Sequence, residues 1–303
     1  MRTIIHKRVT WTNITHPTPD DVELLRQQYP QFHPLDLEDL LSHIERPKLD
    51  EYDEYLFTVM QFPLWDPVAR ISRPSEVYLF LGSHYLVTVH DNTLKPLTKL
   101  YERCQEDEDA RDLYLGGGAS RLFYTVIDQL VDYIFPILYK VDANIHAIEE
   151  EIFNSDARNM IRSIAWLRRD NIALRRIVRP QVEVIELLER VDRPMVREEL
   201  DVYFGDIRDH LQKAVDIILD HGEVLVSLSD TLNTLANYRT NEVINILTII
   251  SVVLMPLTLI SGVYGMNVDL PLGSYAHSFW FIVMLMILTA TSMLAFFRWR
   301  GWI

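Results

Sequence analysis

Two uncharged runs near the C-terminal end constrain this chain more than anything else in it. From Val243 to Val268 no residue is charged, and from Leu270 to Phe297 the only side chain that titrates near neutral pH is His277. Within these runs, 243–264 and 279–297 each cover roughly the 30 Å hydrocarbon core of a bilayer at about 1.5 Å per residue. A buried hairpin in a soluble domain is the alternative. Two such runs back to back instead predict two membrane spans. Arg239 precedes the first, Arg298 and Arg300 follow the second, and the connecting segment 265–278 has no Lys or Arg and one acid, Asp269. The excess of cytoplasmic Lys and Arg then places both termini in the cytoplasm and the loop outside, with a tail at 298–303.

The rest of the chain is polar and acidic. Forty-three acids against 29 Lys and Arg leave a formal charge of −14, which excludes the basic footprint of a nucleic-acid-binding protein and suits cations as partners. A single cysteine, Cys104, leaves neither an internal disulfide nor a thiolate zinc cluster. The opening MRTIIHKRVTWTNITHP has no long apolar stretch followed by small residues, so no cleaved signal peptide is expected. No P-loop, dinucleotide fingerprint, Gly-x-Ser-x-Gly or catalytic His/Glu metal spacing appears, so the chain is not expected to be an enzyme.

Residues 1–115 read as an α/β domain. EYLFTVMQFPLW, SEVYLFLG and HYLVTVHD are β-branched and aromatic runs bounded by Pro, Asp, Gly or Asn. Thr18-Pro19-Asp20-Asp21 is a helix start, with a Thr cap, Pro in the first turn and an acid three residues on. PLDLEDLLSHI predicts a second helix. The glycines of LGGGAS at 115–120 mark a boundary, after which 119–242 reads as helical. A turn at Asn154-Ser155-Asp156 separates an arm ending in Glu149, Glu150 and Glu151 from a return helix carrying Arg162, Arg168, Arg169, Arg175, Arg176 and Arg179. Charge pairing is expected to hold part of this hairpin, the remaining charges being solvated.

From Leu200 onward, Phe204, Ile207, Leu211, Ala214, Ile218, His221, Leu225, Leu228, Leu232 and Leu235 alternate in steps of four and three. That is a heptad seam, and it runs toward the first span without an obvious break. A helix from Val196 to Tyr264 would be about 100 Å long and would need neighbours, so a left-handed bundle of identical helices is expected.

On a helical wheel, Thr248, Ser251, Met255, Thr258 and Gly262 lie within about 40° of Ile244, with Leu247 just to one side. This small, hydroxylated face suits either helix packing in the membrane or the lining of a pore. A two-span monomer encloses no pore, so the second reading needs several copies around an axis. Pro256 in the same helix requires neighbours or Thr hydroxyls to satisfy the carbonyl it frees.

YGMN at 264–267, preceded by TNEVINILTIISVVLMPLTLISGV and followed after a short loop by a second span, resembles the CorA family of divalent-cation channels. HPLDLEDLL, ERPKLDEYDEYLF and YFGDIRDH resemble the same family, so the likeness covers nearly the whole chain. It implies a homopentameric funnel: an α/β cytoplasmic domain, a long helical stalk and two C-terminal transmembrane helices in the plasma (inner) membrane. It implies influx of Mg²⁺, with Co²⁺ and Ni²⁺ also carried, and no cofactor beyond the transported and regulatory divalent cation. Gly265, Met266 and Asn267 match the selectivity motif at the outer mouth. Leu247, Met255, Thr258 and Gly262 match pore-facing positions, with Thr248 and Ser251 on the same face, Ile244 at a hydrophobic gate and Asn241 at the inner end. Glu38, Asp39 and Asp206 match acids of regulatory intersubunit metal sites, and Asp128 and His210 are added to them.

Ringed Asn267 carboxamides and Gly265 carbonyls would offer neutral oxygens to hydrated Mg²⁺, which sheds water reluctantly and prefers octahedral oxygen ligands. Carboxylates brought together between subunits repel unless a cation lies between them, so cytosolic Mg²⁺ would hold the closed assembly. The chain departs from the family in two places. The outer loop has only Asp269 where many relatives carry two acids, and the tail RWRGWI lacks a polylysine end. Zinc-transporting, proton-coupled members share the Gly-Met-Asn triplet, so Zn²⁺ is the alternative cargo. A membrane-anchored sensor or scaffold that moves no ion is the alternative class.

Overall fold

The three apolar runs read as strands lie side by side at the centre of one mixed sheet. In the computed structural model, which describes residues 1–42, 45–153, 157–192, 194–266 and 277–302, the sheet has six strands. They are β1 (Arg2–His6), β2 (Val9–Thr15), β3 (Lys48–Glu51), β4 (Tyr55–Asp66), β5 (Ile71–Gly82) and β6 (Tyr85–His90), in the order β1-β2-β6-β5-β4-β3. All neighbours are antiparallel except β2 and β6. That parallel pair is stitched by a buried polar chain: Trp11 Nε1 donates to Thr88 Oγ1 at 3.1 Å, which donates to Asn13 Oδ1 at 2.7 Å. The long β4–β5 ladder, from Tyr55 opposite Gly82 to Asp66 opposite Ile71, carries the core residues Phe57, Val59, Met60, Leu79 and Phe80. Strands this apolar on both faces must be covered on both sides.

Helices supply the cover. α1 (Pro19–Gln28) begins where the capping sequence predicts: Asp21 N donates to Thr18 Oγ1 at 3.2 Å, and Thr18 N donates to Asp21 Oδ2 at 3.1 Å. α2 spans Pro34–Asp39, where PLDLEDLLSHI predicts a helix that would continue through Leu40, Leu41 and Ser42 to His43 and Ile44, the last two outside the described residues. Phe32, Leu37 and Leu40 fold back onto Tyr55 and Phe80, and that packing ends the helix early. α3 (Lys95–Glu106) and α4 (Glu108–Leu115) follow. α5 (Ala119–Asp132) leaves the glycine run at Gly118, whose φ of +100° is left-handed and therefore suits glycine. α6 (Ile134–Glu151) and α7 (Ala157–Leu188) form the hairpin, and α7 packs along β3, β4 and β5. The final helices are α8 (Asp201–Tyr264) and α9 (Ser278–Trp299).

Packing divides the chain into two compact units, Met1–Ser229 and Asp230–Ile303. Within the first, the heptad seam has a different use from the one its spacing suggests. Leu200, Phe204, Ile207, Leu211, Ala214, Ile218, His221, Leu225 and Leu228 are each exposed by 7% or less inside the single chain. Phe123 of α5 packs on Phe204, Asn171 of α7 donates to the Ile218 carbonyl at 2.9 Å, and Asp142 of α6 meets His221 at 3.3 Å. The seam is thus spent on the chain's own helices rather than on identical ones. A heptad pattern specifies a helical neighbour but not whose helix it is.

The hairpin's charges also differ from expectation. Among the described residues, none of Arg162, Arg168, Arg169, Arg175, Arg176 and Arg179 makes an ion pair, and Glu149 turns to His146 at 2.8 Å. Among the described residues, buried Ile148, Met160 and Ile164 join the two arms.

Among the described residues, three stretches are long and apolar enough to cross a membrane: Ala119–Glu151, α8 and α9. In the first, 44% of the apolar window is buried inside the protein, where Leu122, Phe123, Val126, Ile127 and Leu130 belong to the core. In α8 and α9 the shares are 11% and 0%. Soluble monomers rarely expose contiguous apolar surface on that scale.

Candidate ion path and regulatory acids

The C-terminal part of α8 carries Asn241, Ile244, Leu247, Thr248, Ser251, Met255, Thr258 and Gly262 in one helical run. Its hydroxyls are all turned back onto their own helix. Thr248 donates to the Ile244 carbonyl at 2.7 Å, Ser251 to Leu247 at 2.8 Å, Thr258 to Leu254 at 2.9 Å and Ser261 to Thr258 at 3.0 Å. Such back-bonds commit the hydroxyl proton to the helix. The oxygen lone pairs remain as acceptors, so the face offers oxygen without a competing donor. No described Thr or Ser hydroxyl reaches the Val252 carbonyl freed by Pro256, contrary to one of the expected routes.

Met255 is 75% exposed, Leu247 62% and Ile244 52%, although all three are apolar. A Cβ built on Gly262 would meet nothing within 4 Å, so none of the described residues requires a glycine there. At Gly265 the opposite holds: a Cβ would lie 2.9 Å from the Ser261 carbonyl oxygen, which also accepts from Gly265 N–H at 2.9 Å. Glycine is needed at this point because the chain closes on its own last turn. Met266 N–H follows with a bond to the Val263 carbonyl at 3.3 Å. Asn267 and Asp269 lie outside the described residues.

The acids expected to hold a regulatory cation fall into two groups in the first unit. Glu38 and Asp39 end α2, Glu38 exposed and Asp39 bonded to Lys48 Nζ at 2.7 Å. Lys48 also pairs with Asp50 at 3.0 Å. Burial disfavours its charge, but the two carboxylates outweigh that and raise its pKa. The second group joins α5 to α8. Asp128, Asp206 and His210 interact there, together with Asp132, whose Oδ1 lies 3.5 Å from His210 Nδ1. Burial first, then repulsion from Asp132 and Asp206, pushes the Asp128 carboxyl above its ordinary range, partly offset by His210. Asp132 escaped sequence reading, although its one-turn spacing from Asp128 places both on one face.

No hydrogen bond or ion pair among the described residues joins Glu38 or Asp39 to that second group. No three His, Cys, Asp or Glu side chains among the described residues are arranged to hold a metal.

Sequence reading also missed Asp36, one residue before Leu37 in α2. It is 1% exposed and accepts from Tyr55 Oη at 2.7 Å and Tyr52 Oη at 3.1 Å. Tyr55 Oη in turn accepts from His33 N–H at 2.8 Å. Burial raises the Asp36 carboxyl, and the two tyrosine bonds oppose the rise. This network fixes α2 on the sheet and thereby positions Glu38 and Asp39.

An α/β domain, two largely uncovered apolar helices and an oxygen-bearing helix face ending in Gly-Met-Asn together define a class, that of membrane proteins that move cations. The profile of the CorA-like Mg²⁺ transporter protein family matches residues 6–299, and the chain belongs to that family. The protein is therefore a divalent-cation transporter of the Mg²⁺/Co²⁺ class, not an enzyme. It is 32% identical to YfjQ of Bacillus subtilis over 293 residues, 96% of this chain and 89% of that one. It is 29% identical to the cobalt/magnesium transport protein CorA of Thermotoga maritima over 295 residues, 97% of this chain and 83% of that one. The complete structure of the CorA magnesium transporter of Methanocaldococcus jannaschii superposes with a TM-score of 0.86 at 22% identity, covering 100% of this chain and 95% of that one, which establishes the fold.

Proposed function

We propose that the protein carries Mg²⁺, with Co²⁺ and Ni²⁺ as further cargo, into the cytoplasm through a pore at the axis of a homopentamer. Residues 243–264 would line that pore and 279–297 would surround it. The 265–278 loop would lie outside the plasma (inner) membrane, with both termini in the cytoplasm. The observation that carries this reading is the face of α8 on which Thr248, Ser251 and Thr258 bond their own helix and present only lone pairs. Waters around Mg²⁺ are donors, so a donor-free oxygen face suits a hydrated ion. Ile244, Leu247 and Met255 would form apolar constrictions, Asn241 the inner mouth, and Gly265, Met266 and Asn267 the outer filter. Inside-negative potential supplies about 2.3 kcal/mol per charge per 100 mV, doubled for a divalent ion.

Cytosolic Mg²⁺ would close the pore by bridging carboxylates of adjacent copies. What supports this reading is that Glu38 and Asp39 lie in one place and Asp128, Asp206 and His210 in another, with no three ligands arranged to hold a metal among the described residues. Two half-sites on different copies would then form a whole one.

The test is uptake of Mg²⁺, Co²⁺ and Zn²⁺ into liposomes holding the purified protein, with and without a pH gradient. Potential-driven Mg²⁺ uptake that Asn267→Ala abolishes is expected. Uptake of Zn²⁺ alone, dependent on a proton gradient, would replace the proposed cargo. No flux of any ion would leave a membrane-anchored sensor.

A further inference from the structure

The unpaired arginines of α7 converge on a groove that the transport reading leaves unused. The groove has a volume of about 830 Å³ and lies between α7 and the start of β5. Arg73, Arg168, Arg169 and Arg176 line it, and no Asp or Glu does, in a chain with 14 more acids than Lys and Arg. Arg73 is paired with Asp66 at 2.8 Å, whereas Arg168, Arg169 and Arg176 have no hydrogen-bond or ion-pair partner among the described residues. The buried carboxylate of Asp170, on the same helix, is committed to Ser72 N–H at 2.5 Å. The groove also has an apolar side: Ile71, Pro74 and Ile172 line it, and Ile172 is 46% exposed.

We propose that this groove binds a nucleoside polyphosphate. Three guanidinium groups free of intramolecular partners form a charge excess that a multivalent anion neutralises, and the planar fork matches phosphate oxygens in pairs. Arg169 and Arg176 are seven residues apart, about 10 Å along the helix, a spacing that a chain of phosphates can bridge. The apolar side takes the base and gives a nucleotide its advantage over an inorganic anion. The volume lies within the range of small-molecule sites and is too small for a folded partner. No P-loop is present and no hydrolysis follows; the site is one of binding. It lies wholly within the first compact unit and is independent of the pore reading.

The test is calorimetric titration of the full-length protein in lipid nanodiscs with ATP, in metal-free buffer containing a chelator, alongside inorganic tripolyphosphate. Saturable ATP binding is expected, tighter than that of tripolyphosphate and displaced by it. Arg168→Ala combined with Arg176→Ala is expected to weaken it at least about tenfold, because a hydrogen bond to a charged group contributes roughly that factor. Arg175→Ala with Arg179→Ala, outside the groove, should leave it unchanged. Absence of saturable binding overturns the proposal, as does equal loss in both double variants, which marks a non-specific charge effect. Tripolyphosphate binding as tightly as ATP removes the nucleoside and overturns it as stated. Absence of ATP binding together with a smaller assembly in the Arg168/Arg176 variant would assign the groove to contact between copies.

Discussion

Tyr55 donates to the buried carboxylate of Asp36 at 2.7 Å and accepts from His33 N–H at 2.8 Å with the same hydroxyl. One side chain of β4 therefore fixes both the start and the middle of α2, whose last residues are Glu38 and Asp39. Tyr55→Phe should cost about 1–3 kcal/mol, since it strands a buried carboxylate with only Tyr52 as partner. Thermal unfolding reads the cost. Inhibition by internal Mg²⁺ should weaken in parallel, and inhibition at full strength in a destabilised variant would separate α2 from regulation.

Lys48 holds Asp39 at 2.7 Å, so a regulatory cation proposed to bind there must displace it. Lys48→Gln should free that carboxylate and lower the internal Mg²⁺ concentration that halves transport, by a factor of up to about five for a pair of this exposure. Dose–response curves of liposome flux measure it. Asp39→Ala combined with Asp206→Ala should abolish the inhibition, and unchanged inhibition in that variant would sink the regulatory assignment.

Gly262 and Gly265 separate two kinds of requirement. Gly262→Ala meets empty space within the chain, so the helix should fold unchanged, and any lost flux must come from a neighbouring copy or the ion itself. Gly265→Ala forces a Cβ to 2.9 Å from the Ser261 carbonyl and should disturb the helix exit directly. Flux, set against assembly size and circular dichroism, tells the two apart.

Thr258→Val preserves volume and removes the oxygen. Because that hydroxyl already bonds the Leu254 carbonyl, the helix should lose little stability, while Mg²⁺ flux should fall several-fold. Unaltered flux would place Thr258 in helix packing.

His90 gives the fold a pH limit. Its Nδ1 accepts from Asn92 N–H at 3.0 Å and its Nε2 donates to Asn13 Oδ1 at 3.0 Å, so both nitrogens are occupied in the neutral form. Burial lowers its pKa from 6.5 to about 4. The unfolded chain thus binds the extra proton more readily. The stabilisation from a neutral His90 is present above pH 6.5 and is lost as pH falls toward 4, by about 3 kcal/mol in all. His90→Gln should flatten the dependence of thermal stability on pH over that window.

Much of this molecule is written in local patterns. The uncharged runs after Val243, the capping box at Thr18 and the apolar runs that became β4, β5 and β6 are each decided by neighbouring residues, and burial or backbone satisfaction leaves them little choice. β2, VTWTNIT, is rich in β-branched residues, but its place in the sheet was set only when it met the edge of β6, seventy-five positions away at Asn13 and Thr88. The heptad seam from Leu200 to Leu228 was legible as a seam, yet only the tertiary structure decided that α5, α6 and α7 of the same chain fill it. Asp36, Asp39 and Glu38 look alike in the run LDLED. Packing against Tyr52, Tyr55 and Lys48 made the first a buried anchor, the second a paired anion and the third a free one. Sequence by itself determines where apolar surface must be hidden and where a helix must begin. Which partner hides that surface, and which acid keeps its water, depends on distances that close only when the chain does.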